Sequence, residues 1–181
     1  MANAAVFYLE NFEVVEALAP VDVLRRGGVS VTTVSLGDEL AVRSSHGVTV
    51  TADKLFSDIE EQDFDILILP GGAGTEGYMS KPEFLAKVKA HGESGGKIGA
   101  ICAAPSVIGR LELLRGKKAV CFPGYEKYLE GAEVISAPFV TDGNVTTGRG
   151  AGVSVSFALE LLAVLTDKGK SDEIKSKMQI F

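Results

Sequence analysis

Apolar and polar positions along this chain follow two different periods. Short apolar runs bounded by glycine, proline or charged residues predict buried strands, and apolar residues recurring every three or four positions predict amphipathic helices. The runs that predict strands are "AAVFYL", "VSVTTVSL", "DILIL", "KIGAI" and "KKAVCF". The segments that predict helices are "EVVEALAPVDVLRR", "KPEFLAKVKAHGE", "APSVIGRLELL", "GYEKYLEG", "GVSVSFALELLAVL" and "KSDEIKSKMQIF". Because strands and helices alternate, the pattern predicts an α/β fold with a mostly parallel sheet and helices on both faces.

Two further segments predict strand pairs that are antiparallel. "LAVRSSHGVTVTAD" indicates a hairpin or two short strands. "FVTDGNVTTG" contains Asp142-Gly143, a dipeptide typical of tight hairpin turns. We therefore expect small antiparallel additions to the parallel sheet.

Composition and charge narrow the class of protein. The 181 residues, of which 46% are hydrophobic and 23% charged, predict a single globular domain over residues 1–181. The net charge of −6 gives no general attraction to nucleic acid or to an anionic membrane. No apolar stretch is long enough to cross a bilayer, and the N-terminal residues do not resemble a signal peptide. The two cysteines form no CxxC pair and no metal-ligand cluster, so we expect a reduced, cytoplasmic protein without a metal.

Cys102 lies at the junction between a predicted strand and a predicted helix. It is either a buried filler, as free cysteines often are, or a nucleophile held at a strand-to-helix turn. A helix that begins just after Cys102 would stabilise its thiolate, and small neighbours would leave room for a reacting atom. Cys121, between Val120 and Phe122, is predicted to be a core residue.

Glu13 and Glu16 lie in the first predicted helix, which begins after the first strand. This places them at the same sheet edge as Cys102. The apolar neighbours of Glu16 allow it to face inward, where a carboxyl keeps its proton. The spacing also allows a solvated carboxylate and slightly favours it. His46 lies on a predicted turn, where an ordinary turn residue and a site residue are both open interpretations.

Two glycine-rich loops follow strands. "GGAGTEG" contains the spacing Gly72-x-Gly74-x-x-Gly77, but Pro70 precedes it and no helix follows at once, which argues against a dinucleotide site. A tight turn is the simpler interpretation, and backbone N–H groups of this loop beside Cys102 are a third. "GRGAG" precedes a helix and is either a flexible entry or part of an anion pocket.

Four separated segments, in this order along the chain, resemble one known superfamily. They are "EVVEALAPVDVLRRGG", "LPGG", "AICAAP" and "GRGAGVSVSFAL". The chain is similar to the ThiJ/PfpI superfamily, in the branch named after the Parkinson-disease-associated protein DJ-1. The resemblance runs from the first strand to the helix near Leu165. It implies a flavodoxin-like three-layer sandwich, a homodimer and chemistry without a cofactor.

The resemblance also implies roles for individual residues. It places the reactive cysteine of the family at Cys102 and its protonated glutamate partner at Glu16. It places the backbone oxyanion donors at Gly72 and Ala103. An arginine that reaches the site from the partner subunit corresponds to Arg26.

Several positions depart from the family pattern. His46 stands where the family has a second anion-binding arginine, and Phe122 replaces a histidine that precedes Pro123 in many relatives. Ala151 occupies a position that is usually proline. Ala103 follows the cysteine directly, where proteolytic and amidotransferase branches carry a histidine or use a triad, which argues against those activities.

The resemblance implies two classes of function. In the first, Cys102 and Glu16 act on small reactive carbonyl compounds, as in a cofactor-independent glyoxalase III-like lyase or a deglycase-type hydrolase. In the second, the chain is an oxidative-stress sensor or chaperone in which Cys102 is oxidised to sulfinate. A third interpretation, a family member with an inactive site, follows from the departures. The sequence leaves open whether the chain is an enzyme.

Overall fold

Each apolar run that predicts a strand forms one in the computed structural model, which describes residues 1–180. The strands of these residues are β1 (Asn3–Tyr8), β2 (Ser30–Ser35), β3 (Ala41–Arg43), β4 (Thr49–Thr51), β5 (Lys54–Leu55), β6 (Ile66–Leu69), β7 (Lys97–Ile101), β8 (Lys118–Ala119), β9 (Glu133–Val134), β10 (Phe139–Asp142) and β11 (Val145–Gly148). The helices are α1 (Val14–Arg26), α2 (Pro82–Glu93), α3 (Pro105–Arg110), α4 (Ser154–Leu165) and α5 (Lys168–Lys177).

Seven strands form the central sheet in the order β10-β11-β7-β6-β1-β2-β5. All neighbouring pairs are parallel except β10 with β11, which form the hairpin predicted from Asp142-Gly143. The predicted hairpin around His46 is β3 with β4, an antiparallel pair outside the central sheet. The inner strands β1, β6 and β7 are covered on both faces, which explains why they are continuous apolar runs.

Helices cover both faces of the sheet, so the three-layer α/β sandwich is confirmed. On one face, Ala5 and Phe7 of β1 belong to a core that includes apolar side chains of α2 and α3. On the other face, Ala4, Val6 and Tyr8 belong to a core that includes side chains of α1, α4 and α5. Alternate residues of a strand point to opposite faces, so the six residues of β1 supply both cores.

Three elements are shorter than the sequence predicts. The helix of "APSVIGRLELL" ends at Arg110, and Glu112 then adopts a left-handed φ of 63° that no helix accommodates. The run "KKAVCF" contributes only Lys118–Ala119, which pairs with β9 in a separate two-stranded sheet. "GYEKYLEG" forms one 3₁₀ turn, Glu126–Tyr128.

Hydrogen bonds to distant residues explain why β8 ends early. The amide of Val120 donates to Oγ1 of Thr147 at 2.9 Å instead of to a neighbouring strand. The amide of Phe122 donates to the carbonyl of Cys102 at 2.7 Å. The chain after β8 is thereby directed toward the carboxyl end of β7.

The last helix begins earlier than predicted. Asp167 caps α5 because its Oδ1 accepts a hydrogen bond from the amide of Lys170 at 2.9 Å, and the helix starts at Lys168. The predicted segment "KSDEIKSKMQIF" ends at Phe181, which lies outside the described residues. Among residues 1–180, no helix combines the length and the apolar composition needed to cross a bilayer.

Candidate active site

Cys102 lies on the tight turn between β7 and α3. Its φ is 65°, in the left-handed region that residues other than glycine seldom adopt. The amide of Cys102 donates to the carbonyl of Gly148 at 2.9 Å, and its own carbonyl accepts the amide of Phe122 at 2.7 Å. Strained conformations of this kind persist where surrounding contacts fix them, and they are frequent at functional sites. The turn predicted from sequence is therefore present and holds Cys102 rigidly.

The loop after β6 passes directly against this turn. A Cβ added to Gly71 would lie 2.8 Å from the Cβ of Cys102 and 2.9 Å from the amide nitrogen of Ala103. It would also lie 2.9 Å from the carbonyl oxygen of Ile101. These neighbours are backbone atoms or a Cβ, which cannot rotate away. Only glycine allows this approach.

We expect Gly71→Ala to lower the free energy of unfolding by about 1–3 kcal/mol, because the added methyl group overpacks the turn that carries Cys102. Urea unfolding followed by circular dichroism measures the change. Gly152→Ala is the matched control, since a Cβ there meets no atom within 4 Å. Equal stability of the two variants would show that the close approach at Gly71 is unimportant.

Glu16 is buried beside the thiol. It lies in the first turn of α1 and is 0% exposed, so the inward-facing alternative is correct. Its Oε2 accepts the amide of Gly71 at 2.9 Å. Its buried Oε1 has no partner at full hydrogen-bond geometry among the described residues, and the Cys102 thiol is the side chain that interacts with this carboxyl. Burial raises the pKa of Glu16 to about 7.

Cys102 and Glu16 titrate as a pair. Burial first, and then the negative charge of Glu16, raise the pKa of the Cys102 thiol to about 12, while the amides of Ala103 and Gly72 oppose the shift. The net direction is upward, so the expected stabilisation of the thiolate by the helix N-terminus is outweighed. Two adjacent negative charges are disfavoured, and the pair therefore keeps at least one proton at neutral pH. When that proton lies on the carboxyl, the charge that disfavours the thiolate is absent.

A cavity of about 300 Å³ opens over this pair. Gly72 and Ala103 line it beside Cys102, and both amides interact with the sulfur. The carboxyl groups of Glu13 and Glu16 also line the cavity. Backbone amides beside a nucleophile can hold an oxyanion that forms when a carbonyl carbon is attacked. Within residues 1–180, no group of three or more His, Cys, Asp or Glu side chains is arranged to hold a metal ion.

The comparison with protein families identifies the group to which this site belongs. The model of the DJ-1/PfpI family matches residues 2–164. The chain belongs to the DJ-1/PfpI family. The oxidized DJ-1 structure from Toxoplasma gondii superposes with a TM-score of 0.95 at 31% identity, covering 99% of this chain and 98% of that one.

Two curated members of the DJ-1/PfpI family show how far the similarity extends. DJ-1 homolog A of Arabidopsis thaliana is 37% identical over 168 residues, which are 91% of this chain but 43% of that protein. The chain thus spans less than half the length of this relative. The Caenorhabditis elegans protein named glutathione-independent glyoxalase DJR-1.2 is 30% identical over 166 residues, which are 91% of this chain and 89% of that protein.

The two anion-site residues predicted from the family resemblance do not line the cavity of a single chain, as far as residues 1–180 show. Arg26 lies in the last turn of α1, ten residues after Glu16 or about 15 Å along the helix axis, and pairs with Asp22 at 2.8 Å. His46 lies on the β3–β4 turn, and its Nδ1 is 3.3 Å from Oε2 of Glu13. Whether Arg26 serves the site of a partner subunit stays a prediction.

Two aromatic residues of the DJ-1/PfpI chain also line the cavity, Phe122 and Tyr125. The sequence marks Phe122 only as a departure from the family histidine, and it carries no signal for Tyr125, because the loop after β8 is shaped by distant hydrogen bonds. Glu13 could be found from its spacing, since residues three apart share one side of a helix. Together these residues define the walls of the candidate active site.

Proposed function

We propose that this protein converts small α-oxoaldehydes to 2-hydroxy acids without a cofactor, with Cys102 as nucleophile and Glu16 as proton carrier. The observation that carries the proposal is the buried Cys102–Glu16 pair, which meets the amides of Gly72 and Ala103 in one cavity. The relative from C. elegans that is named a glutathione-independent glyoxalase supports the same chemistry.

The first step joins the substrate to the enzyme. The sulfur of Cys102 bonds to the aldehyde carbon as the thiol proton passes to Glu16. The carbonyl oxygen becomes an oxyanion that accepts hydrogen bonds from the amides of Gly72 and Ala103. Protonation of this oxygen by Glu16 gives a neutral hemithioacetal, and the carboxylate is then free to act as a base.

The second step is an internal redox exchange. The Glu16 carboxylate removes the proton from the former aldehyde carbon to give an enediolate. The remaining hydroxyl proton passes to the neighbouring oxygen and Glu16 returns its proton to the neighbouring carbon, which produces a thioester of a 2-hydroxy acid. Water then attacks the thioester, and the acid and the free thiol are released. One carbon is oxidised and its neighbour reduced, so the net change is addition of water and no external oxidant is required. A carboxyl with a pKa of about 7 is suited to both proton transfers.

A deglycase-type reaction would use the same first intermediate. The substrate is then the adduct of an α-oxoaldehyde with an amine, and the sulfur of Cys102 replaces the amine, which leaves with the thiol proton. The hemithioacetal that results continues as above. The proposal therefore covers free aldehydes and amine adducts through one set of residues.

The sensor alternative uses the same cysteine, and one observation favours carbonyl chemistry over it. The cavity of about 300 Å³ provides room for an organic substrate, which an oxidant sensor does not require.

The experiment that tests the proposal measures lactate formed from methylglyoxal by the purified protein and by Cys102→Ser. The buffer contains no amines and no added thiols, because both react with methylglyoxal. Lactate formation that depends on Cys102 supports the proposal, and absence of lactate with the wild-type protein contradicts it.

The proposal also places the protein in the cytoplasm. Both cysteines are free in the structure, which suits a reducing compartment. Recovery of the protein from an oxidising compartment in cell fractionation would contradict that placement.

The proposal includes a homodimer, supported by an apolar surface at the start of α1. Val15 and Leu18 are 47% and 37% exposed and lie on one side of the helix. Val48 is 47% exposed and lies between β3 and β4. Ser44, in the same connection, forms a β-bridge with Phe12, which comes just before α1. Exposed apolar side chains grouped in this way mark interaction surfaces. We expect sedimentation velocity at micromolar concentration to give a dimer, and the Val15→Glu/Leu18→Glu variant to give a monomer. A monomeric wild-type protein would contradict the homodimer.

A further inference from the structure

One wall of the cavity over Cys102 is aromatic. Phe122 is 48% exposed although it is a large apolar residue, and Tyr125 lines the cavity beside it. The backbone of this wall is fixed, because the amide of Phe122 donates to Cys102 and the amide of Tyr125 donates to the carbonyl of Phe122 at 3.2 Å. A Cβ added to Gly150 would lie 3.4 Å from the ring of Phe122, so the ring rests against the glycine-rich turn. An apolar group bound next to Cys102 would cover this exposed ring.

From this aromatic wall we infer that the site selects carbonyl compounds with an aromatic or bulky apolar substituent and that Phe122 is the specificity-determining residue. The inference rests on the proposed function and names the class of substrate for that function. The volume of about 300 Å³ is at the lower end of small-molecule pockets, roughly 300–1,000 Å³, and suits a one-ring substrate. An aromatic ring packed against Phe122 and Tyr125 buries more apolar area than the methyl group of methylglyoxal.

Alkylation of Cys102 tests the selectivity without any need for turnover. Two reagents share one leaving group, bromide, and are both neutral: 2-bromoacetophenone is aromatic and bromoacetamide is small. The rate of each at Cys102 is divided by its rate with N-acetylcysteine at the same pH. Peptide mass spectrometry separates Cys102 from Cys121.

We expect the normalised rate of 2-bromoacetophenone to exceed that of bromoacetamide about tenfold or more. Phe122→Ala is expected to remove most of the aromatic preference. Val134→Ala is the matched control, because Val134 is 43% exposed on β9, does not line the cavity, and should keep the preference. Normalised rates that are equal for the two reagents, or a preference that Phe122→Ala leaves intact, would overturn the inference.

A turnover comparison separates this inference from the proposed function. We expect kcat/KM for phenylglyoxal, measured as mandelate formed, to exceed kcat/KM for methylglyoxal about tenfold in the wild type and to lose this advantage in Phe122→Ala. Turnover of methylglyoxal with no preference for phenylglyoxal would overturn the inference and leave the proposed function standing. Absence of turnover with both aldehydes would overturn the proposed function, and the alkylation rates would still decide whether the cavity selects aromatic ligands.

Discussion

Cys102→Ser is expected to lower kcat/KM for methylglyoxal by at least about 10³-fold. A serine hydroxyl loses its proton far less readily than a thiol and is a weaker nucleophile at neutral pH, so its attack on the aldehyde carbon is far slower. The hemithioacetal cannot form, and the later proton transfers have no covalent intermediate on which to act. Lactate quantified over time in a buffer without amines or thiols measures the loss.

The other cysteine supplies the control for this experiment. Cys121 is 6% exposed, packs in the core on the α2–α3 face and does not line the cavity, so Cys121→Ala should retain turnover. Circular dichroism on both variants shows whether each is folded. Wild-type turnover by folded Cys102→Ser would show that the mechanism is wrong.

The central sheet could be predicted because its inner strands are buried on both faces. The runs "DILIL" and "KIGAI" carry no polar alternation, and such runs have few stable alternatives in a chain of this length. The loop after β8 could not be predicted, since its path depends on hydrogen bonds from Val120 to Thr147 and from Phe122 to Cys102. These partners are 27 and 20 residues away along the chain, and local propensity does not record them.

The position of the site could be predicted better than its electrostatics. The alternation of strands and helices places Cys102 and the start of α1 at one edge of the sheet. Spacing alone cannot decide that Glu16 is buried, because the rotation of α1 is fixed by its packing against α4 and the sheet. The helix after Cys102 was expected to stabilise the thiolate and so to lower the thiol pKa, but the pKa is raised. The helix after Cys102 has six residues, and its end effect is weaker than burial and the neighbouring carboxylate.

Glu16→Gln is expected to lower kcat for methylglyoxal by about 10²–10⁴-fold, the usual contribution of a positioned acid or base. The amide oxygen of glutamine can still accept the hydrogen bond from Gly71, so the geometry of the turn is preserved. The side chain can no longer take the thiol proton or return it to the substrate. Lactate formation measured beside the wild type gives the ratio, and unchanged kcat would exclude Glu16 as the proton carrier.

The pH dependence of stability gives Glu16→Gln a second readout that is independent of turnover. The pKa of Glu16 is about 7 in the folded chain and 4.5 without perturbation, so between these values the folded state holds one proton more than the unfolded state. The contribution of Glu16 to the free energy of unfolding should therefore fall as pH rises from about 4.5 to 7, by up to about 3 kcal/mol, and stay constant on either side of this window. Glu16→Gln has no carboxyl to ionise and should lose this slope. Urea unfolding across the pH range measures both proteins, and equal slopes would mean that folding does not raise the pKa of Glu16 to the value near 7 that suits it to both proton transfers.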